Sequence, residues 1–538
     1  MPVRSKIASA RGLLRIDYRT APRGEFGGGA INATLCAMLV PMLLLTPAPS
    51  RPPDVRRSLD RRLYGVLSRP SLWYAGFAVY AAGVALFSGP GLDRWWGTWA
   101  APGYAAAALV AAVGSARGHR RAAQAAALAV ALAGALIAPL TWLATREPLT
   151  SDVSVVMRAG VLLARHGTPY LPAAQLAHGG WLAYNPYLPV MAVFGLPKAL
   201  GFPGLLGDTR PWLAAATFLL LVAAFRITVS RRPVSRRTVS GRMVSGRMVS
   251  ERAGTWRTAG SVAAFALASP IMAFPLAMGI TDPPVIALIC LSLALLMRAG
   301  GTIRASGTIR ADGTIRAGGT MRDRGMVLAA IVLGVACAMK YTAWPALAII
   351  VVMVASRDGV RAAARFTAST LGSAVVLSLA LAPAALRDAK TVLLNTVAYP
   401  LGLTSAHSPA ASPLPGHLLA TLGPAGHLAA LGLVAVSGVA IVVSLVVFPP
   451  STPPQAAARI ALALAALFAL GPASRFGYFV YPLALFGWAA FAGFRPRRLP
   501  LQTRRYPGAP ASRKPAGSET GSWAREAPRA PERAGARS

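Results

Sequence analysis

Twelve apolar stretches, set apart by arginine, proline and glycine, dominate this 538-residue chain. A run of about 20 such residues is long enough to cross the hydrocarbon core of a bilayer as a helix. Helices suit that setting because each backbone polar group in lipid needs a partner within the protein. The runs lie at 71–89, 98–115, 122–145, 211–226, 259–274, 283–298, 326–339, 343–356, 367–386, 426–449, 459–471 and 478–493. They predict an all-α polytopic membrane protein with about 12 transmembrane helices. A weaker run at 30–47 is broken by Asn32 and Pro41. A peripheral segment, a cleaved one and an over-extended start would all read in this way.

Only 13% of the residues are charged, yet 55 Lys and Arg face 17 Asp and Glu, a net charge of +38. A nucleic-acid-binding module would gather such cations on one polar surface. Here they fall between apolar runs, which argues against a nucleic-acid partner, and a soluble enzyme would carry about a quarter charged residues. Lys and Arg collect in short cytoplasmic loops. With the basic stretch 51–70 inside, strict alternation of twelve crossings places 39 of the 55 cations inside and ten outside. The reading is a multi-pass protein of the cell membrane, among membrane lipids, with its C-terminus in the cytoplasm.

The chain divides into a basic region at 1–70, two additional helices at 71–121, a core at 122–493 and a basic Pro/Arg-rich tail at 494–538. Low composition complexity predicts that the tail is disordered. Two inside loops, 226–258 and 298–325, are built from the pentads RITVS-RRPVS-RRTVS-GRMVS-GRMVS and the hexads GTIRAS-GTIRAD-GTIRAG-GTMRDR. Neither period matches a solenoid unit. They read either as tolerated low-complexity insertions or as basic loops resting on anionic headgroups.

Connectors in a helical bundle are short, and two outside ones are not. The first spans 146–210 and holds Asp152 with several aromatics; the second spans 387–425 and contains YPLGLTSAHSPAASPLPGH. Both are expected to be structured extracytoplasmic loops packed on the membrane face. Asp152 opens an amphipathic segment at 153–165 that stops at Gly167 and Pro169. An acid there either caps free amides or presents a carboxylate to headgroup and water. Asp282, in GITDPPVIAL, has the same two readings, with proline at the first helical position strengthening the cap. Lys340, in CAMKYTAWP, and Arg475, in PASRFGYFVYP, are isolated cations in apolar surroundings. They either snorkel or bind a lipid-linked phosphate. His407, in SAHSP, is either a solvated loop histidine or a hydrogen-bonding group for phosphate or sugar.

Cys36, Cys290 and Cys337 sit in apolar stretches without C-x-x-C spacing, and the six histidines include no H-x-x-x-H pair. No protein-built metal site and no cofactor is expected. Walker A, G-x-S-x-G and H-E-x-x-H sequences are missing. A transporter or flippase of lipid-linked glycans is the alternative class, and it would need polar residues facing a cavity within the helices.

An acid after an early helix, then RAGVLLARHGTPY, then WLAYNPYLPVMAVFGLP, with GITDPPVIALICLSLALL, ACAMKYTAWPAL and SRFGYFVYPLALFGW following in order, resembles a known pattern. It is similar to the polyprenyl-phosphate-mannose-dependent mannosyltransferases of actinobacterial type, in glycosyltransferase family 87 of the GT-C class. The similarity spans roughly residues 122–493. It implies a cell-envelope enzyme that transfers mannose from a polyprenyl-phosphate-linked sugar donor to a lipid or glycan acceptor at the extracytoplasmic face. Asp152 is then the general base. Position in the chain suggests Lys340, Arg475 and His407 for the donor phosphate, and Tyr170, Tyr187 and Asp282 for sugar or acceptor contacts. Asn185, where many relatives have a simpler aromatic-proline pattern, would bear on acceptor choice.

Overall fold

The computed structural model describes residues 69–89, 91–146, 149–176, 179–230, 258–305, 318–406 and 410–493. The segment 30–47, Cys36, His407, most of both repeats and the tail lie outside the described residues. Among the described residues there is no strand, and one isolated bridge pairs Ala411 with Ser474.

The apolar runs form helices α1 (Pro70–Phe87), α2 (Leu92–Ala116), α3 (Arg120–Arg146), α4 (Ser151–His166), α5 (Thr209–Val229), α6 (Thr258–Ala268) and α7 (Pro270–Met278). After these come α8 (Asp282–Ala305), α9 (Gly318–Met339), α10 (Trp344–Asp358) and α11 (Val360–Leu381). The last are α12 (Pro424–Val447), α13 (Pro453–Leu470) and α14 (Phe476–Gly493). Among the described residues nine of these are long and apolar enough to cross a membrane, and ten if α6 and α7, bent by 68°, make one span. That is fewer than the twelve expected. The two runs around Lys340 account for the gap: α10 has only 15 residues, and the first turns of α9 carry Arg322, Asp323 and Arg324.

Two helix irregularities dock the N-terminal pair onto the rest. A π-turn at Ala133–Ile137 interrupts α3, and the Ala135 carbonyl accepts the Trp96 indole N–H at 2.8 Å. At the bend between α6 and α7, the Ala268 carbonyl accepts the Tyr104 hydroxyl at 2.6 Å. Such breaks leave carbonyls free for side chains. Gly103 and Gly134 permit the close crossing of α2 and α3, since a Cβ on Gly134 would lie 2.7 Å from the Gly103 Cα. Trp95 stacks on Trp142 at 4.3 Å. Thus α1 and α2, which the sequence sets apart as additional helices, share one hydrophobic core with the others.

Described residues of the two long loops meet one another. In the first, α4 ends at Gly167 in the left-handed conformation (φ 65°), where the sequence predicts its stop. This helix lies so close to the 3₁₀ segment Pro189–Gly195 that a Cβ on Gly160 would meet the Gly195 carbonyl carbon at 2.2 Å. In the second, the short helices Pro383–Asp388 and Ala389–Leu393 lead into a π-turn, Leu394–Ala398. Asn185 N–H donates to Asn395 Oδ1 at 2.7 Å, and Tyr184 stacks on Tyr399 with centroids 4.7 Å apart.

Candidate functional site

Asp152 stands in the first turn of α4 but does not cap it. Thr150 is the cap, accepting the Val153 N–H and donating its own hydroxyl to the Met278 carbonyl at 2.9 Å. That second bond ties the start of α4 to the end of α7. Gly279 follows at φ 75°, and a Cβ there would meet Val153 Cγ2 at 2.3 Å, so the turn leading to Asp282 needs glycine twice over. Asp152 is half-buried, and among the described residues no hydrogen bond or ion pair holds its carboxylate.

Asp282 differs from the expected cap. Pro283 and Pro284 remove two of the amides a capping carboxylate would take. Its Oδ1 instead accepts from Lys340 Nζ in a salt bridge between side chains that are almost wholly buried. A direct sugar or acceptor contact does not fit a residue with no exposed surface. Lys340 likewise does not snorkel. Its Nζ lies 5.4 Å from the Tyr187 ring centroid and 5.5 Å from that of Tyr478. Burial opposes the ammonium charge, but Asp282, Tyr478 and Asp152 together outweigh it and hold the lysine pKa above its usual value.

Backbone contacts set these distances. Lys340 is extended (φ −155°) at the break between α9 and the 3₁₀ turn Tyr341–Ala343. Leu188 N–H donates to the Met339 carbonyl at 3.0 Å, which pins the first loop beside the lysine. Asn185 then shapes that loop, accepting the Tyr187 N–H at 3.1 Å and donating to the Pro169 carbonyl at 3.1 Å. It is 2% exposed, and its hydrogen bonds brace the loop from within. Tyr170 is also committed, donating its hydroxyl to the Tyr187 carbonyl at 3.0 Å inside the loop. Burial pushes the Tyr170 and Tyr187 phenols upward, so both stay protonated across the physiological range.

Arg475 precedes α14, on a segment held by Ser412 N–H to the Ser474 carbonyl at 3.0 Å and by Phe476 N–H to Ser412 Oγ at 3.1 Å. Burial opposes its charge, while Tyr478, Asp152, Tyr187 and Tyr399 favour it. The structure therefore gathers Asp152, Asp282, Lys340, Arg475 and Tyr187 at one end of the helices, around Tyr478. His407 lies outside the described residues. Asp93, in the first turn of α2, comes within electrostatic reach of Arg475. Sequence reasoning missed it and Tyr478; the signal for Asp93 was an acid just after the GPG turn between two apolar runs.

Among the described residues no three His, Cys, Asp or Glu side chains gather as metal ligands. The chemistry on offer is a half-exposed carboxylate facing two fixed cations across aromatic walls. No protein-family model, no curated protein and no solved structure matches the chain.

Proposed function

We propose that the protein is a membrane glycosyltransferase that moves a sugar, mannose, from a polyprenyl-phosphate-linked donor to a lipid or glycan acceptor at the extracytoplasmic face. The observation that carries this reading is the gathering of an uncommitted, half-buried Asp152 with buried Lys340 and half-buried Arg475 at the same helix ends. Asp152 takes the proton from the acceptor hydroxyl as its oxygen attacks the anomeric carbon. The bond from that carbon to the phosphate oxygen breaks with inversion, and polyprenyl phosphate leaves with the electron pair. Lys340 and Arg475 stabilise the charge that grows on the departing phosphate. Tyr187 lines the approach, while Tyr170 and Asn185 keep the loop in shape.

The topology belongs to the same reading. With α9 and α10 counted as crossings and α6–α7 as one, the helices make twelve passes, and the cluster lies outside with the C-terminus in the cytoplasm. The buried hydroxyls of Thr217, Thr228, Ser292 and Thr370 bond to backbone carbonyls, so among the described residues they do not line a polar transport route.

The test uses membranes from cells making the wild type, Asp152→Ala or Asp152→Asn, given radiolabelled polyprenyl-phosphate-mannose and a lipid extract as acceptor. Label should pass to acceptor with the wild type and not with either variant. Equal transfer by the variants would remove Asp152 from its role. Transport of lipid-linked glycan across vesicles, without transfer, would favour the flippase. Cysteine labelling at position 152, in a chain whose native cysteines are replaced, should report the extracytoplasmic side.

A further inference from the structure

We infer that Asp282 is a positioning residue for Lys340: it keeps the ammonium charged and aimed between the Tyr187 and Tyr478 rings, where that charge receives the phosphate of the lipid-linked donor. The last clause rests on the glycosyl-transfer reading; the positioning itself does not.

The geometry leaves Lys340 little choice. It is 6% exposed, Asp282 is fully buried, and a lone ammonium in such a place sheds its proton. Of the three donors on Nζ, one serves Asp282 Oδ1, and the negative faces of two aromatic rings draw the charge from other sides. The carboxylate has no competing duty, because the helix it begins offers prolines at the next two positions. Its Oδ2 is buried, and the Tyr481 hydroxyl, which pairs with Thr342 Oγ1 at 2.6 Å, lies beside the carboxylate as well. Buried and excused from capping, the carboxylate has Lys340 as its ion-pair partner among the described residues.

The groups that face Lys340 are Asp282 from α8, Asp152 from α4, Tyr187 from the first loop and Tyr478 from the start of α14. Tyr341 and Tyr481 face the Asp282 side of the pair. Only Asp282 forms an ion pair with the lysine among the described residues. Without it, burial lowers the lysine pKa. The charge is then present at low pH and lost as pH rises through the lowered value.

Full-length protein in lipid nanodiscs provides the test, with the polyprenyl-phosphate-linked sugar as probe. In Asp282→Asn the donor KM should rise about tenfold for each pH unit above the lowered lysine pKa, and approach wild type in acid. The double variant Asp282→Asn/Lys340→Arg should lose this pH dependence, because a guanidinium stays charged. A second readout needs no activity. Only the neutral amine is acylated by acetic anhydride, so mass spectrometry should find Lys340 protected at pH 8 in the wild type and in Asp282→Glu, and about tenfold or more faster to react in Asp282→Asn.

A KM defect of equal size at every pH, or acylation unchanged in Asp282→Asn, overturns the inference. So does wild-type donor KM in Asp282→Asn/Lys340→Met, which carries neither charge and guards against a folding failure of the single variant. If the wild type transfers no sugar while the acylation difference appears, the glycosyl-transfer reading falls and the positioning role stands.

Discussion

Asp152 and Asp282 look alike in the sequence, each an acid at the start of a helix that follows an apolar run, and the folded protein treats them in opposite ways. Asp282 is buried and bound to Lys340, whereas Asp152 is half-exposed and, among the described residues, unbound. The difference follows from what stands beside them. Thr150 takes over the capping that Asp152 could have done, leaving its carboxylate free. At α8 two prolines remove the amides, and a buried cation takes the carboxylate instead. A free, half-buried carboxylate suits proton transfer; a buried, paired one suits holding a charge in place.

Substitutions can break this contrast or sharpen it. The largest effect is expected from Asp152→Asn, which should lower transfer by about 10²–10⁴-fold, the usual contribution of general base catalysis, with no change in thermal midpoint. Asp282→Ala should do the reverse of a pure activity defect and unfold the protein early. Leaving a buried ammonium without its partner costs about 3–5 kcal/mol, and adding Lys340→Met should recover most of it. Thermal melts in detergent check both, and equal melting of Asp152→Asn and Asp282→Ala would erase the distinction between the two acids.

Smaller effects concern the supports. Asn185→Ala leaves the Tyr187 N–H and the Pro169 carbonyl unpaired and the Asn395 contact without its loop geometry, at a cost of about 1–3 kcal/mol. Hydrogen exchange should quicken in both long loops together, because Asn185 joins them. Tyr170→Phe removes one hydrogen bond to the Tyr187 carbonyl and should cost about 1 kcal/mol with donor specificity intact, read from melting and from donor KM.

Much of the fold was legible because apolar period and stop signals are local. The helix from Ser151 to His166 ends at Gly167 as its sequence predicts, and the break at Lys340 separates two helices as expected. Burial was not legible. α12 is the more uniformly apolar helix, yet 11% of its span is buried, while 83% of the α8 span is, because hydropathy does not distinguish a lipid neighbour from a protein one. Asp152, Asp282, Lys340, Arg475 and Tyr187 could be singled out as polar or aromatic residues at helix ends. Their pairing could not, since Asp282 and Lys340 lie 58 positions apart and nothing local links them. The bracing bonds of Asn185 and Tyr170 were hidden for the same reason, since their partners Asn395 and the Tyr187 carbonyl are set by the fold and not by local sequence.

The most direct measurement is the initial rate of sugar transfer by purified, reconstituted Asp152→Asn beside wild type, with thermal midpoints taken on the same samples. The proposed function predicts that wild type transfers mannose from polyprenyl phosphate and that the variant, equally stable, is slower by about a hundredfold or more. A stable variant that transfers within a few-fold of wild type would contradict the assignment of Asp152 as the base.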